Sequence, residues 1–195
     1  MDKARAFYKA YTGQMDNIKT VQSVRLQLLF VVSQSSSTLV ITFDDVPNSS
    51  LNYTISIPNG YKNLNWTNGL VLNTTARPDY RLTGFYTALK SGQFVGYNVD
   101  HKPLTIHSSA TGQTFNVSSF TIAATLVNNT QLTIVGQRSC ELLYTQTLLL
   151  KVRPPATVIV LNWINLDSLI LTVTNGSQFA MDDLSVSVSS AAIIT

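Results

Sequence analysis

From Thr38 onward the chain alternates. Hydrophobic and polar residues change places with period two in one short run after another, and turn-forming residues separate the runs. TLVITF opens the series, and LNYTISI follows and stops at Pro58-Asn59-Gly60. GLVLN, QFVGYNV and LTIH are further short strands bounded by Gly, Asn, Asp and Pro. The clearest block is SSFTIAATLVNNTQLTIVGQ. There Phe120, Ile122, Ala124 and Leu126 lie two apart and share one face, Asn128-Asn129-Thr130 turns the chain, and Leu132 and Ile134 resume. That pattern predicts a hairpin. ELLYTQTLLLKV, TVIVLNWI, LILTVT and QFAMDDLSVSVS bring the expected strands to ten to twelve, with no long helix among them. Short, evenly spaced strands with turn signals predict an all-β fold, an antiparallel β-sandwich or a barrel.

The stretch before this region breaks the pattern. VRLQLLFVVSQSSS has a basic flank at Arg25, an apolar run from Leu26 to Val32, and then small polar residues. This is the layout of a secretory signal, with cleavage expected between Ser33 and Ser37. The run lies far from Met1, and Met15 would start a signal of ordinary length. The competing reading is an amphipathic N-terminal helix packed on the domain. The expected division is a 1–37 extension with the signal, a single 38–190 β domain and a short 191–195 tail.

Composition agrees with an extracellular β-protein. Of 195 residues, 45% are hydrophobic and only 12% charged. The net charge of +3 resides in the first 25 residues, because the rest carries eight basic and eight acidic side chains. No basic patch remains to neutralise phosphates, so nucleic acid is not an expected partner. Nor is any run long enough to span a bilayer as a helix. Asn-X-Ser/Thr occurs at Asn48, Asn52, Asn65, Asn73, Asn116, Asn128 and Asn175. Chance would give roughly three or four such matches at this Ser/Thr content. These asparagines are therefore expected glycosylation sites of a secreted protein. Cys140 is the only cysteine, which excludes an intrachain disulfide and a cysteine-based zinc site. It falls in GQRSCELLY, where a hairpin tip is expected.

Two acid pairs interrupt apolar strands, Asp44-Asp45 in ITFDDV and Asp182-Asp183 in FAMDDL. Strict alternation puts Asp45 on the face of Leu39, Ile41 and Phe43, and Asp182 on the face of Leu184, Val186 and Val188. A buried carboxylate is costly unless it is hydrogen-bonded, paired or bound to metal. First and last strands commonly lie side by side in sandwiches. If they do here, the four carboxylates could share a Ca²⁺ ion, the cation suited to an all-oxygen ligand set. The alternatives are acceptance of backbone N–H groups at strand ends, exposed charges guarding an edge strand, and pairing with Arg77, Arg81 or Arg138.

Taken in order, ITFDD, IPNGYKNLNWTNGLVLN, SSFTIAATLVNNTQLTIVG, LLYTQTLLL, LDSLILTV and FAMDDLSV resemble a group of uncharacterised secreted proteins of fungi, other small eukaryotes and some bacteria. The closing DDLSV after an aromatic is also similar to the last strand of non-catalytic carbohydrate-binding modules with a galactose-binding-like fold. The resemblance implies a jelly-roll-like β-sandwich. It further implies a structural calcium held by an Asp of the closing strand, here Asp182, and an acid near the first strand, Asp44 or Asp45.

Sugar recognition commonly combines an aromatic face with amide and carboxylate hydrogen bonds. NGYKNLNWTN offers Tyr61, Asn63 and Trp66, and Tyr97 is a further candidate. Trp66 has a competing role as a core aromatic. His101 and His107 flank KPLTI as ordinary polar residues, and no nucleophile, zinc or phosphate-loop motif is present. The expected function is a secreted, non-catalytic binding module for a carbohydrate or cell-surface glycan, with Ca²⁺ as its only cofactor. The alternatives are a structural extracellular glycoprotein without a dedicated ligand, and a jelly-roll hydrolase or lyase.

Overall fold

A computed structural model describes residues 37–49, 54–76, 78–174 and 177–189. The expected signal segment and two of the sequons, Asn52 and Asn175, lie outside the described residues. Twelve strands occur among those described. They are β1 (Thr38–Ile41), β2 (Thr54–Ser56), β3 (Leu64–Thr67), β4 (Gly69–Asn73), β5 (Phe94–Asn98), β6 (Leu104–Ser108), β7 (Phe115–Ala124), β8 (Thr130–Arg138), β9 (Glu141–Leu150), β10 (Thr157–Leu166), β11 (Ser168–Val173) and β12 (Phe179–Val188). A seven-stranded sheet runs β10-β7-β12-β5-β4-β2, with β1 also on β12, and a five-stranded sheet runs β3-β6-β11-β8-β9. Every pairing is antiparallel. The fold is the β-sandwich that the alternation predicts.

The core lies between the sheets. Phe120, Ile122, Leu132, Ile134 and Leu184 are all at most 1% exposed, and they pack with Phe115, Leu169, Leu171 and Val186. Trp163 is also buried, stacked on Tyr144 of β9 with ring centroids 5.1 Å apart. Truncating any one of the phenylalanines to Ala would cost about 3–5 kcal/mol.

One expected hairpin is not a hairpin. β7 pairs with β10 and β12, whereas β8 pairs with β9 and β11. The 125–129 connection carries the chain from one sheet to the other. Both strands bury their apolar face inward, so alternation alone cannot distinguish an arch between sheets from a turn within one. Leu126 lies beyond the end of β7 and is 68% exposed, not buried with Phe120 and Ile122. Consecutive strands β8 and β9 do form a tight hairpin, with Arg138 opposite Glu141 across Ser139-Cys140.

The strands slip phase where the seven-stranded sheet is irregular. On β12, Phe179 and Met181 face the core, and then Leu184 and Val186 do. An extra residue has entered at Asp182-Asp183, and Asp183 has φ 50°. β7 slips alongside, with Phe115 and Val117 inward and then Phe120 and Ile122. Neighbouring β10 carries Asn162 and Asn165 at positive φ between its shifted pairings. The slip corrects the expected face of Asp182. It pairs with Thr121 on the outer face, while Leu184 points inward.

That outer face has its own small apolar layer. A one-turn helix α1 (Gly84–Ala88) sets Phe85 and Ala88 against Leu72, Val95, Ala123 and Ala180. Gly84 is required there: its N–H donates to the Thr125 carbonyl at 2.7 Å, and a Cβ would lie 1.6 Å from the Ala124 oxygen. Five residues are too few to leave a helical period in the sequence. The segment leaving α1 runs over β12 into β5.

Candidate functional site

The two acid pairs meet at that segment. β1 ends at Ile41, and Phe43 turns the chain with φ 65°. Asp44 therefore leaves the strand, and its Oδ1 accepts the N–H groups of Gln93 at 2.7 Å and Phe94 at 3.2 Å. Asp182 is fully buried, and its Oδ2 accepts the N–H groups of Lys90 at 2.7 Å and Ser91 at 3.0 Å. Its Oδ1 accepts the N–H of Asp183 at 2.7 Å, while Asp183 accepts the Ser91 hydroxyl at 2.8 Å. Gly92 sits between the grips with φ 55°, and a Cβ there would lie 2.0 Å from the Asp44 carboxylate. Burial pushes the Asp182 carboxyl up to about 6, against the pull of the N–H groups of Lys90, Ser91 and Asp183.

Asp45 does something else. It does not share the face of Ile41 and Phe43, because the turn at Phe43 brings it to the surface. It accepts the Tyr61 hydroxyl at 2.6 Å and forms an ion pair with Lys62. The Lys62 hydrogen bond, helped by that of Tyr61, holds its carboxyl below the ordinary value. Burial first, and the Asp45 hydrogen bond second, raise the Tyr61 hydroxyl.

ITFDD and FAMDD are indeed neighbours, since Ile41 pairs with Leu184. Yet their oxygens are turned on N–H and O–H donors. Among the described residues, no three His, Cys, Asp or Glu side chains are grouped as metal ligands. As arranged, both oxygens of Asp182 fit amide donors rather than a cation. A calcium ion held here would share these carboxylates with those donors.

Of the expected sugar-contacting residues, Tyr61, Asn63 and Trp66 lie together and Tyr97 lies apart from them. Trp66 on β3 is 5% exposed, meets Phe43 edge-on at 5.9 Å and donates its indole N–H to the Tyr61 carbonyl. It is a core residue without a free face. Tyr61 is buried beside it. Asn63 is exposed at φ 59° in the preceding turn. Tyr97 belongs to the outer layer on β5, where Phe85 meets it at an interplanar angle of 88° and Tyr80 meets Phe85 at 59°. Rings tilted in this way make no flat platform. Burial raises the Tyr97 hydroxyl.

A concavity lies at one end of the sandwich. A cleft of about 600 Å³ opens between the 108–114 loop, the β8–β9 tip and the β10–β11 turn. Its chemistry is carried by His107, Gln113, Arg138, Cys140, Asp167 and Ser168, with Ser and Thr around them. The walls are braced. Gln113 Oε1 accepts the Ser109 N–H, the Ser109 hydroxyl and the Ala110 N–H at 3.1–3.2 Å. Asp167 Oδ2 accepts the Ser139 N–H at 2.5 Å. The tip itself is strained, because Ser139 and Cys140 have φ 52° and 64°, values that favour Asn and Gly. Sequence reading did not find this cleft, since it assembles three distant loops. The one local signal was a two-residue tip without Asn or Gly.

The sequons differ in what their side chains do. Asn48 and Asn128 are exposed. Asn65 and Asn73 are half-buried and accept N–H groups from Gly60 and Thr75. Asn116 lies within β7, donating to Ser187 at 3.1 Å and accepting the Asn165 N–H at 2.9 Å. Six asparagines among the described residues have positive φ, at 48, 63, 68, 129, 162 and 165. The asparagine content thus serves the backbone as well as any modification.

No protein-family model matches the chain, and no curated protein matches it. Among solved structures it is similar to TmCBM61, a carbohydrate-binding module in complex with β-1,4-galactotriose. Identity is 10% over 69% of this chain and 97% of that one, with a TM-score of 0.34. It is also similar to the Clostridium thermocellum xylanase 10B chain that holds CBM22-1 and GH10 modules with xylohexaose. There identity is 10% over 76% of this chain and 28% of that one, with a TM-score of 0.36. At this level neither likeness bears on function.

Proposed function

We propose that the chain is an extracellular, non-catalytic carbohydrate-binding module whose ligand lies in the cleft between the 108–114 loop, the Ser139-Cys140 tip and Asp167-Ser168. The carrying observation is the cleft's chemistry. Its polar groups are hydroxyls, amides, one thiol, one guanidinium, one imidazole and one carboxylate, and it holds no Phe, Tyr or Trp. Such groups suit a ligand that brings its own hydroxyls. Binding without cleavage is favoured because Asp167 is the only carboxylate in the lining, whereas glycoside hydrolysis ordinarily uses a facing pair. A glycan-array screen of the full chain beside an Arg138→Ala variant tests it. Binding to one glycan class, lost in the variant, is expected. An array without signal for the unaltered chain would defeat the reading.

A second reading rests on a different observation. β9 and β10 end their sheets, are ten residues each, and carry one charge between them, Glu141. Leu142, Leu149, Val158, Val160 and Ile164 are each more than half exposed. Edges of this kind are ordinarily protected by charge or covered. A structural glycoprotein that packs with copies of itself would cover them.

A further inference from the structure

Among the described residues, buried polar side chains are almost all satisfied. Thr74 and Thr125 donate to the Gln93 and Gln178 carbonyls, Asn98 bonds Lys102 and Phe179, and Asp182 takes N–H groups on both oxygens. Among the described residues the exception is Ser168 Oγ, which has no partner although the residue is 5% exposed. The exception falls in the wall of the cleft.

Its backbone is fixed from both sides. Ser168 opens β11, opposite His107 of β6 and Gln137 of β8. The preceding Asp167 donates its N–H to the Gln137 carbonyl and accepts the Ser108 N–H, both at 3.0 Å. Ser168 therefore stays in place, and its Oγ, which water does not reach in this arrangement, meets the cleft by a turn about χ1. Its two partners also line the cleft, so three polar side chains stand in one cross-strand row. Neighbouring strands lie about 4.8 Å apart, so each gap in the row is on the scale of a single sugar ring and the whole row spans about 10 Å. A hydroxyl both donates and accepts, as each sugar hydroxyl does. Alanine would fill the position without leaving an unmet polar group, and a purely structural role gives no reason for serine.

We propose that Ser168 is the specificity-determining hydrogen-bond group of the cleft, reading one hydroxyl of a bound sugar residue between His107 and Gln137. The inference rests on the carbohydrate reading given above. Its test compares the full chain with Ser168→Ala by titration calorimetry against a panel of galacto-, xylo-, gluco- and manno-oligosaccharides. Monodeoxy derivatives of the tightest binder follow, with thermal melts alongside. The variant is expected to melt no lower than the parent chain, because it removes an unpaired buried hydroxyl, and to bind about tenfold more weakly. One monodeoxy sugar should bind the parent chain weakly, yet bind the variant as well as the intact sugar does. If the parent chain binds and Ser168→Ala binds equally well, the assignment fails and the carbohydrate reading stands. A variant that melts lower and loses affinity for every sugar alike overturns the assignment in favour of a structural serine. A parent chain that binds nothing in the panel overturns both.

Discussion

Asp44 and Asp182, far apart in the chain, hold the two halves of one short segment. Asp182 takes the N–H groups of Lys90 and Ser91, Asp44 those of Gln93 and Phe94, and Gly92 turns between them. One acid pair sits at the bulge of β12 and the other follows the end of β1. β12 pairs with β5 before Asp182 and with β1 after Asp183, and β1 ends just before Asp44. The segment they fix leads from α1 into β5, so the clamp ties the outer layer to the sheet.

Losing either aspartate should leave N–H groups without acceptors. Asp182→Ala is expected to cost about 3 kcal/mol, from several N–H groups at about 1–3 kcal/mol for each one orphaned in a buried place. Asp44→Ala should cost less, since Gln93 is exposed. Both act on one segment, so the double variant should fall short of the sum by at least about 0.5 kcal/mol. Urea unfolding of the three variants measures this, and strict additivity would show two independent grips.

The raised Asp182 carboxyl sets a pH dependence of definite sign. Its folded value of about 6 lies above the unfolded value of about 3.9. The folded chain thus keeps a proton that the unfolded chain releases. Stability from this group is full below about pH 4, declines as pH rises through about 6, and is flat beyond. Asp45 acts in the opposite sense and lower down, because its carboxyl is depressed: its contribution is present above the unfolded value and lost as pH falls. Asp182→Asn should flatten the slope between pH 4 and 6 and leave the acid limb. Urea midpoints across that range decide it.

The same clamp tests calcium. With Asp182 committed to N–H donors, millimolar calcium and chelator should give the same melting temperature. A rise in calcium that Asp182→Ala abolishes would instead place an ion there, by mass action on the folded state.

What the sequence disclosed follows from what period two can encode. The inward faces of Phe120, Ile122, Leu132 and Ile134 were legible, because each strand is half-buried. The partner of each strand was not, since an arch between sheets leaves the same alternation as a hairpin. The face of Asp182 was misread by extending the phase of Leu184 and Val186 backwards. Phe179 and Met181 carry the opposite phase, and the slip between them is written in the sequence. The neighbourhood of ITFDD and FAMDD was legible, and acceptance of backbone N–H groups was one of the roles expected, but which N–H groups was not, because donors from a distant loop leave no mark in composition. The cleft escaped for the same reason.

The exposed edges predict self-association if the second reading holds. Sedimentation of the full chain should then depend on concentration, and Val160→Lys with Leu149→Lys should abolish the dependence, because both side chains are at least 60% exposed. Neither change should lower the melting temperature by more than surface substitutions do, about 0.5 kcal/mol in stability. A chain that remains monomeric at high concentration removes this reading and leaves the binding module alone.

The Ser139-Cys140 tip ties stability to the cleft. Both residues stand at positive φ between the paired Arg138 and Glu141, where a two-residue hairpin favours Asn-Gly. A non-glycine residue in that conformation costs roughly 1 kcal/mol, and Asp167 steadies the tip by accepting the Ser139 N–H. Replacing the pair by Asn-Gly should therefore stabilise the chain by about 1 kcal/mol. It should also weaken glycan binding, because both native side chains line the cleft and would be lost. Melting and calorimetric titration of the double variant give the two readouts together. Higher stability with weaker binding is expected of strain kept at a binding site. Higher stability with unchanged binding would show that the tip bears no ligand, and would move the site deeper, towards Gln137 and Ser168. Lower stability would show that the tip is not strained at all.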